Sequence, residues 1–204
     1  MTTIIYAKDT LAADSRSLHD YGEAGTSNYF TAIEMLKLMV LGEGTFAVAV
    51  CGPVPTIRGW KDIEEIFRKR LIICEEILNA SRIEFLPEEI KAIAGQDRYF
   101  LVMTKAHTYF MSPIVGLNSD GINGLMQIDS ISPIAYGTGA KPAYMAIVAG
   151  RSTHEAVEFA ITIDNNSGSP VVSVDRKSLK AFGESDPELG KLLIKFKKKH
   201  ADKI

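Results

Sequence analysis

After Met1 the chain opens Thr2-Thr3-Ile4-Ile5-Tyr6-Ala7-Lys8-Asp9-Thr10-Leu11-Ala12-Ala13-Asp14-Ser15-Arg16. Residues 2 to 7 are rich in β-branched and aromatic side chains, which suit a pleated surface, and they read as a strand. Lys8-Asp9-Thr10 reads as a tight turn. Leu11 to Asp14 then returns antiparallel. Such a hairpin brings a carboxylate, Asp14, back beside the hydroxyl of Thr2. Taken alone, Asp14 reads better as a turn former.

Beyond this hairpin, residues 15 to 31 are rich in Ser, Gly, Asp and Asn and read as a long loop. Residues 33 to 41 are apolar and fit neither period cleanly. Phe46 to Val50 is a short buried strand, stopped by Gly52-Pro53 and Pro55. Trp60, Ile63, Phe67, Leu71, Cys74 and Leu78 recur at spacings of three and four, so Trp60 to Leu78 is a helix with Trp60 as its core anchor. Pro87-Glu88-Glu89-Ile90 starts a short helix, with Pro in the first turn and acids at the positive end of its dipole. Strands follow at Tyr99–Thr104, Thr108–Pro113 and Gly124–Ile128, with a turn at Asp120-Gly121. Another covers Ile134–Tyr136. Helices are expected over about 140–149 and 153–163. Ser152 and Glu155 form a capping-box pattern for the second. Val171–Val174 is a strand, and Pro187 to His200 a final helix ending in a basic run. Strands and helices come in blocks rather than in βαβ alternation. That order argues for antiparallel sheets with segregated helix layers.

The composition agrees with one globular domain over residues 1–204. Hydrophobic residues make up 46% and charged residues 24%, and the net charge of -2 gives no basic footprint for nucleic acid. No apolar run nears the ~20 residues that span a bilayer. No secretory signal is visible, so a cytoplasmic address is expected. The two cysteines, Cys51 and Cys74, read as reduced. The histidines show no ligand spacing, so no metal and no cofactor is expected. Gly137-Thr138-Gly139 before a helix invites a dinucleotide-loop reading. Pro142 stands where that fingerprint needs a small residue, and the βαβ context is missing.

Removal of Met1, usual before a small residue, would give Thr2 both a hydroxyl and a free α-amine. An α-amine has a pKa of roughly 7.7–8.0 and can act as a base near neutral pH. A Thr hydroxyl paired with its own amine is a known nucleophile.

Thr-Thr-Ile-Ile, a turn and Ala-Ala-Asp-Ser-Arg together resemble the opening of proteasome β subunits and of HslV-type bacterial peptidases, which are N-terminal-nucleophile hydrolases. Further motifs follow in the same chain order. Lys37 stands ahead of Gly52 at a matching distance. Gly137-Thr138-Gly139 leads into an Ala-rich helix. Asp164-Asn165-Asn166-Ser167-Gly168 precedes a late strand. The resemblance spans about 170 residues. It departs in a shorter first hairpin, a longer loop before Lys37, and Thr138 in place of the usual Ser.

The resemblance implies an α+β fold, a four-layer αββα sandwich with two antiparallel sheets between helix layers. It implies a threonine peptidase in which Thr2 attacks, its amine takes and returns the proton, and Lys37 held by Asp14 favours the ionised oxygen. Thr138, Asp164 and Ser167 would arrange the amine, and the Gly52 N–H would face the oxyanion. It also implies a ring homo-oligomer acting on peptides or unfolded polypeptides, with an ATP-driven unfoldase as a possible partner, and no role for nucleic acid or membrane. Such stand-alone genes occur in bacteria and their phages. Two other functions stay open: a silent proteasome-like scaffold that keeps Met1, and a small-molecule amidase or acylase. Four of the site residues also have a plain reading: Lys37 on the surface, Gly52 as a strand end, Asp164 and Ser167 as the turn and cap of their helix.

Overall fold

A computed structural model describes residues 2–20, 30–34, 36–53, 57–77, 82–94, 98–111, 124–129 and 132–182. The elements run in chain order as β1 (Thr3–Ala7), β2 (Thr10–Ala13), β3 (Arg16–Asp20), β4 (Phe30–Glu34), β5 (Leu38–Leu41), β6 (Phe46–Cys51), α1 (Ile57–Ile77), β7 (Arg82–Glu84) and α2 (Pro87–Ala94). They continue as β8 (Tyr99–Thr104), β9 (Thr108–Met111), β10 (Gly124–Gln127), β11 (Ile134–Gly137), α3 (Ala140–Val148), α4 (Thr153–Ile163), β12 (Val172–Asp175) and β13 (Ala181–Phe182).

The first hairpin forms as expected. Ala7 faces Thr10 across a two-residue turn, and Lys8 and Asp9 both have positive φ, 49° and 60°. Two left-handed residues match the right-handed twist of the flanking strands. From it grows one antiparallel sheet, ordered β11-β1-β2-β12-β13. A second antiparallel sheet runs β5-β6-β8-β9-β10-β7.

Strand period 2 sorts the side chains into layers. Val48 and Val50 of β6 pack outward with Trp60, Ile63 and Phe67 of α1, joined by Ile93 of α2. Ala47, Ala49 and Cys51 of the same strand point inward, against Ile4, Leu11 and Val172 of the other sheet. The far face of β1 and β2, with Ile5, Ala7 and Ala12, packs on Ala143, Ala146, Ala156, Val157 and Ala160 of α3 and α4. Helices, sheet, sheet and helices make the four-layer αββα sandwich. Alanine at these facing positions lets the helices lie close to the central strands. The capping box at Ser152 and Glu155 starts α4 as its sequence predicts.

Three expectations need correction. Residues 15 to 31 do not form one loop, because Arg16–Asp20 pairs with Phe30–Glu34 in a separate two-stranded sheet. The polar composition masked a ribbon that shows itself in the pairing of its two strands. β7 and β13 also escaped notice, at three and two residues too short to show a period. The helix over Trp60 to Leu78 begins earlier, at Ile57. The expected turn at Asp120-Gly121, the helix at Pro187–His200 and its lysine run lie outside the described residues.

At the turn end of the first hairpin, Arg176 fastens the two sheets together. Its guanidinium donates to Asp9 (2.8 Å), Tyr6 Oη (2.6 Å), Thr108 Oγ1 (2.6 Å) and Asp129 (3.1 Å). Thr2 begins the opposite end of β1.

Candidate active site

The site forms where β1 starts and β2 stops. Antiparallel pairing sets Asp14 across from Thr3, and their backbones bond (Asp14 N to Thr3 O, 3.0 Å). The Asp14 side chain is fully buried and accepts five hydrogen bonds from described residues. Oδ1 accepts from Thr3 N (2.8 Å) and Lys37 Nζ (3.0 Å). Oδ2 accepts from Arg16 N (3.1 Å), Gly168 N (3.0 Å) and Lys37 Nζ (3.1 Å).

Lys37 enters from the other sheet, fixed by its carbonyl, which accepts from Val50 N at 2.8 Å. It is 1% exposed, so the surface reading of Lys37 is excluded. Its ammonium also donates to the carbonyl of Arg16. Burial pushes its pKa below the usual lysine value, against the opposing charge and hydrogen bonds of Asp14. A buried lysine in this condition gives up its proton more readily than one in water.

Thr138, Asp164 and Ser167 meet on the other flank. Asp164 caps the C-terminus of α4. Its Oδ2 accepts from Thr138 Oγ1 (2.6 Å) and Ser167 Oγ (2.7 Å), and its Oδ1 from Asn166 N (3.1 Å). Burial raises the Asp164 pKa, but the bonds from Thr138, Ser167 and Asn166 outweigh it and hold the carboxyl below the usual range. The cap reading of Asp164 is therefore true but incomplete, because Thr138 reaches it from another element. Thr3 Oγ1 lies 2.6 Å from Ser167 Oγ and links this chain to the first hairpin.

Thr2 is fully buried, and its Oγ1 has no hydrogen-bond partner among the described residues. Leaving a buried hydroxyl unpaired costs about 1–3 kcal/mol. Ser15 Oγ, next in the chain to Asp14, and Trp60 Nε1 share this state. Gly52 follows β6 with φ 113°, a left-handed conformation that favours glycine. The reading of Gly52 as a strand end thus accounts for its position, while its φ accounts for the residue type.

Several contributing residues were missed in the sequence. A Cβ on Gly137, itself at φ 101°, would lie 1.7 Å from the Thr2 carbonyl oxygen. Cys51 Sγ lies beside the same point, and burial pushes its thiol pKa up, so it stays protonated and is a poor competing nucleophile. Gly168, noted only as part of a motif, donates its N–H to Asp14. The three-residue spacing to Ser167 was visible, but the Thr3 hydroxyl carried no signal of its own.

This is the fold of N-terminal-nucleophile hydrolases of the proteasome β-subunit type. It matches a eukaryotic HslV from Trypanosoma brucei at a TM-score of 0.53, with 15% identity over 85% of this chain and 98% of that one. It matches Anbu, an ancestral β-subunit from Yersinia bercovieri, also at 0.53, with 12% identity over 99% of this chain and 95% of that one. Identities at this level establish the architecture alone. No family model and no curated protein matches the sequence. Among the described residues no helix is long and apolar enough to cross a membrane, and no cluster of His, Cys, Asp or Glu could hold a metal ion.

Proposed function

We propose that the chain, folding as one domain over residues 1–204, is a threonine peptidase whose nucleophile is Thr2 after removal of Met1. The observation that carries the reading is the buried Lys37–Asp14 pair, hydrogen-bonded to the residue next to Thr2. A buried ion pair contributes little to stability against an apolar replacement, so its presence at the head of β1 favours a chemical role.

In this mechanism the Thr2 hydroxyl attacks an amide carbonyl and its proton passes to the Thr2 amine. Lys37 lowers the cost of negative charge on the attacking oxygen. Asp14 holds Lys37 and is itself held by three backbone N–H groups. Gly52 N–H serves the oxyanion; losing one such donor typically costs about 3 kcal/mol. The protonated amine then delivers its proton to the leaving nitrogen, and water releases the acyl group.

The enzyme acts on peptides or unfolded polypeptides within a homo-oligomer in the cytoplasm. Tyr144, Met145 and Val148 of α3 support the assembly, since they stand 43%, 56% and 63% exposed at helical spacing on one outer face. An ATP-driven unfoldase would supply unfolded substrate. Intact mass of the natively expressed chain and turnover of a fluorogenic peptide panel test the reading. Loss of Met1, with turnover abolished by Thr2→Ala, is the expected result. Retained Met1 points instead to a silent scaffold, and hydrolysis of small amides without peptide cleavage to an amidase.

A further inference from the structure

Thr3 belongs to neither half of the machinery just described, yet it touches both. Its N–H donates to Asp14 Oδ1 at 2.8 Å, and its carbonyl accepts from Asp14 N at 3.0 Å. Its hydroxyl lies 2.6 Å from Ser167 Oγ, with no exposure to solvent.

The direction of that last bond follows from its neighbours. Asp164 is ionised and can only accept, and the one proton of Ser167 Oγ goes to it. Ser167 therefore accepts from Thr3. The order is Thr3 O–H to Ser167 O–H to the Asp164 carboxylate, which Thr138 O–H meets from the other side. A hydroxyl polarised toward a carboxylate in this way is held in one rotamer.

Gly139 is cut to the same shape. Its φ is an ordinary -87°, so no backbone strain demands glycine. A Cβ there would lie 2.0 Å from Thr3 Oγ1, and 3.2 Å from both Asp164 Oδ2 and Ser167 Oγ. Of these contacts only that with the Thr3 hydroxyl lies under 3.0 Å, so alanine here would force the hydroxyl to move.

We infer that Thr3 is a positioning residue that locks the Lys37–Asp14 pair to the Thr138–Asp164–Ser167 chain, with Gly139 as the space its hydroxyl requires. The inference rests on the peptidase reading. Thr3 is joined to Thr2 by one peptide bond, so a rotation of Thr3 moves both the attacking oxygen and the amine. Misplacement of a reacting group by about 1 Å can cost ~100-fold in rate.

The test separates hydroxyl from shape. Thr3→Val keeps the branched shape and loses the hydroxyl; Thr3→Ser keeps the hydroxyl and loses the methyl. Labelling of Thr2 by a Thr-directed covalent inhibitor and peptide turnover are followed in full-length protein. Thr3→Val should lower kcat and the labelling rate about tenfold, with KM within about twofold, while Thr3→Ser stays within about threefold of the parent. The reverse order would assign Thr3 to packing and overturn the inference. Thermal unfolding gives a readout independent of activity. Gly139→Ala should lower Tm, and Thr3→Ala/Gly139→Ala should return to the Tm of Thr3→Ala alone. Additive losses would overturn the steric part. A parent chain that is neither labelled nor active removes the peptidase reading and the inference with it; a labelled parent matched by Thr3→Val removes the inference alone.

Discussion

Replacing Asp14 with Asn changes one atom and should be among the most damaging conservative substitutions in this chain. The carboxylate presents two acceptors to four donor groups. An amide can offer only one. With its NH2 at the Oδ1 position, it faces the N–H of Thr3 and the Lys37 ammonium. Turned over, it faces the N–H groups of Arg16 and Gly168 and the same ammonium. Each orientation leaves at least one buried backbone donor unpaired, at about 1–3 kcal/mol. It also strips Lys37 of its counter-charge, and breaking a buried pair from one side costs about 3–5 kcal/mol. Deprotonation of Lys37, already favoured by burial, caps that second cost. A net loss of about 4 kcal/mol is expected, or roughly 8–16 °C in Tm for a chain of this size.

Lys37→Met should be milder, at about 3 kcal/mol. It leaves Asp14 charged, but both oxygens keep backbone donors: Thr3 N on Oδ1, Arg16 N and Gly168 N on Oδ2. Urea unfolding at neutral pH and fixed protein concentration measures both variants, since assembly would otherwise shift the apparent stability. Asp14→Asn within about 1 kcal/mol of the parent would refute the reasoning. So would Lys37→Met proving the worse of the two, because Asp14→Asn loses a backbone hydrogen bond as well as the ion pair, whereas Lys37→Met loses the pair alone.

The other predictions concern the same frame. Gly137→Ala sets a Cβ into the Thr2 carbonyl and strains a left-handed φ, so peptide turnover should fall at least about 100-fold, with a stability loss of about 1–3 kcal/mol. Val148→Glu adds charge to the exposed stripe on α3; size-exclusion chromatography should show smaller particles while the isolated fold melts unchanged. The lowered pKa of Lys37 sets a sign for the alkaline limb. Between its folded value and the unfolded value of about 10.4, the unfolded chain binds more protons, so this group makes stability rise with pH across that window. The difference in unfolding free energy between the parent and Lys37→Met should therefore grow in the parent's favour as pH rises there, and a flat difference would count against the burial of the ammonium.

How far the sequence discloses this site depends on the range over which each signal acts. Periodicity and apolar runs are local, so the helix of Ile63, Phe67 and Leu71 and the short buried strand at Phe46–Val50 were legible without any neighbour. The β3–β4 ribbon was not, since its polar residues show no period of their own and the pairing of Ser17 with Ile33 and of His19 with Thr31 joins two separate stretches of chain. Asp14, Lys37 and Asp164 could be picked out by residue type and chain order, but no local pattern tells a buried Lys37 from a solvated one. The contact of Thr3 with Ser167 spans 164 residues and leaves no trace near either. What it does leave is a negative image in the glycines. A Cβ on Gly137 would strike the carbonyl of Thr2, one on Gly139 the hydroxyl of Thr3, and one on Gly168 the guanidinium of Arg16 at 2.4 Å. In the sequence each of these glycines reads only as part of a motif. Gly139, at an ordinary φ, shows one cause: the side chain is missing because an atom of the first hairpin needs the room. Read that way, a glycine flanking a motif marks where two distant segments touch, and this chain carries three such marks around the start of β1.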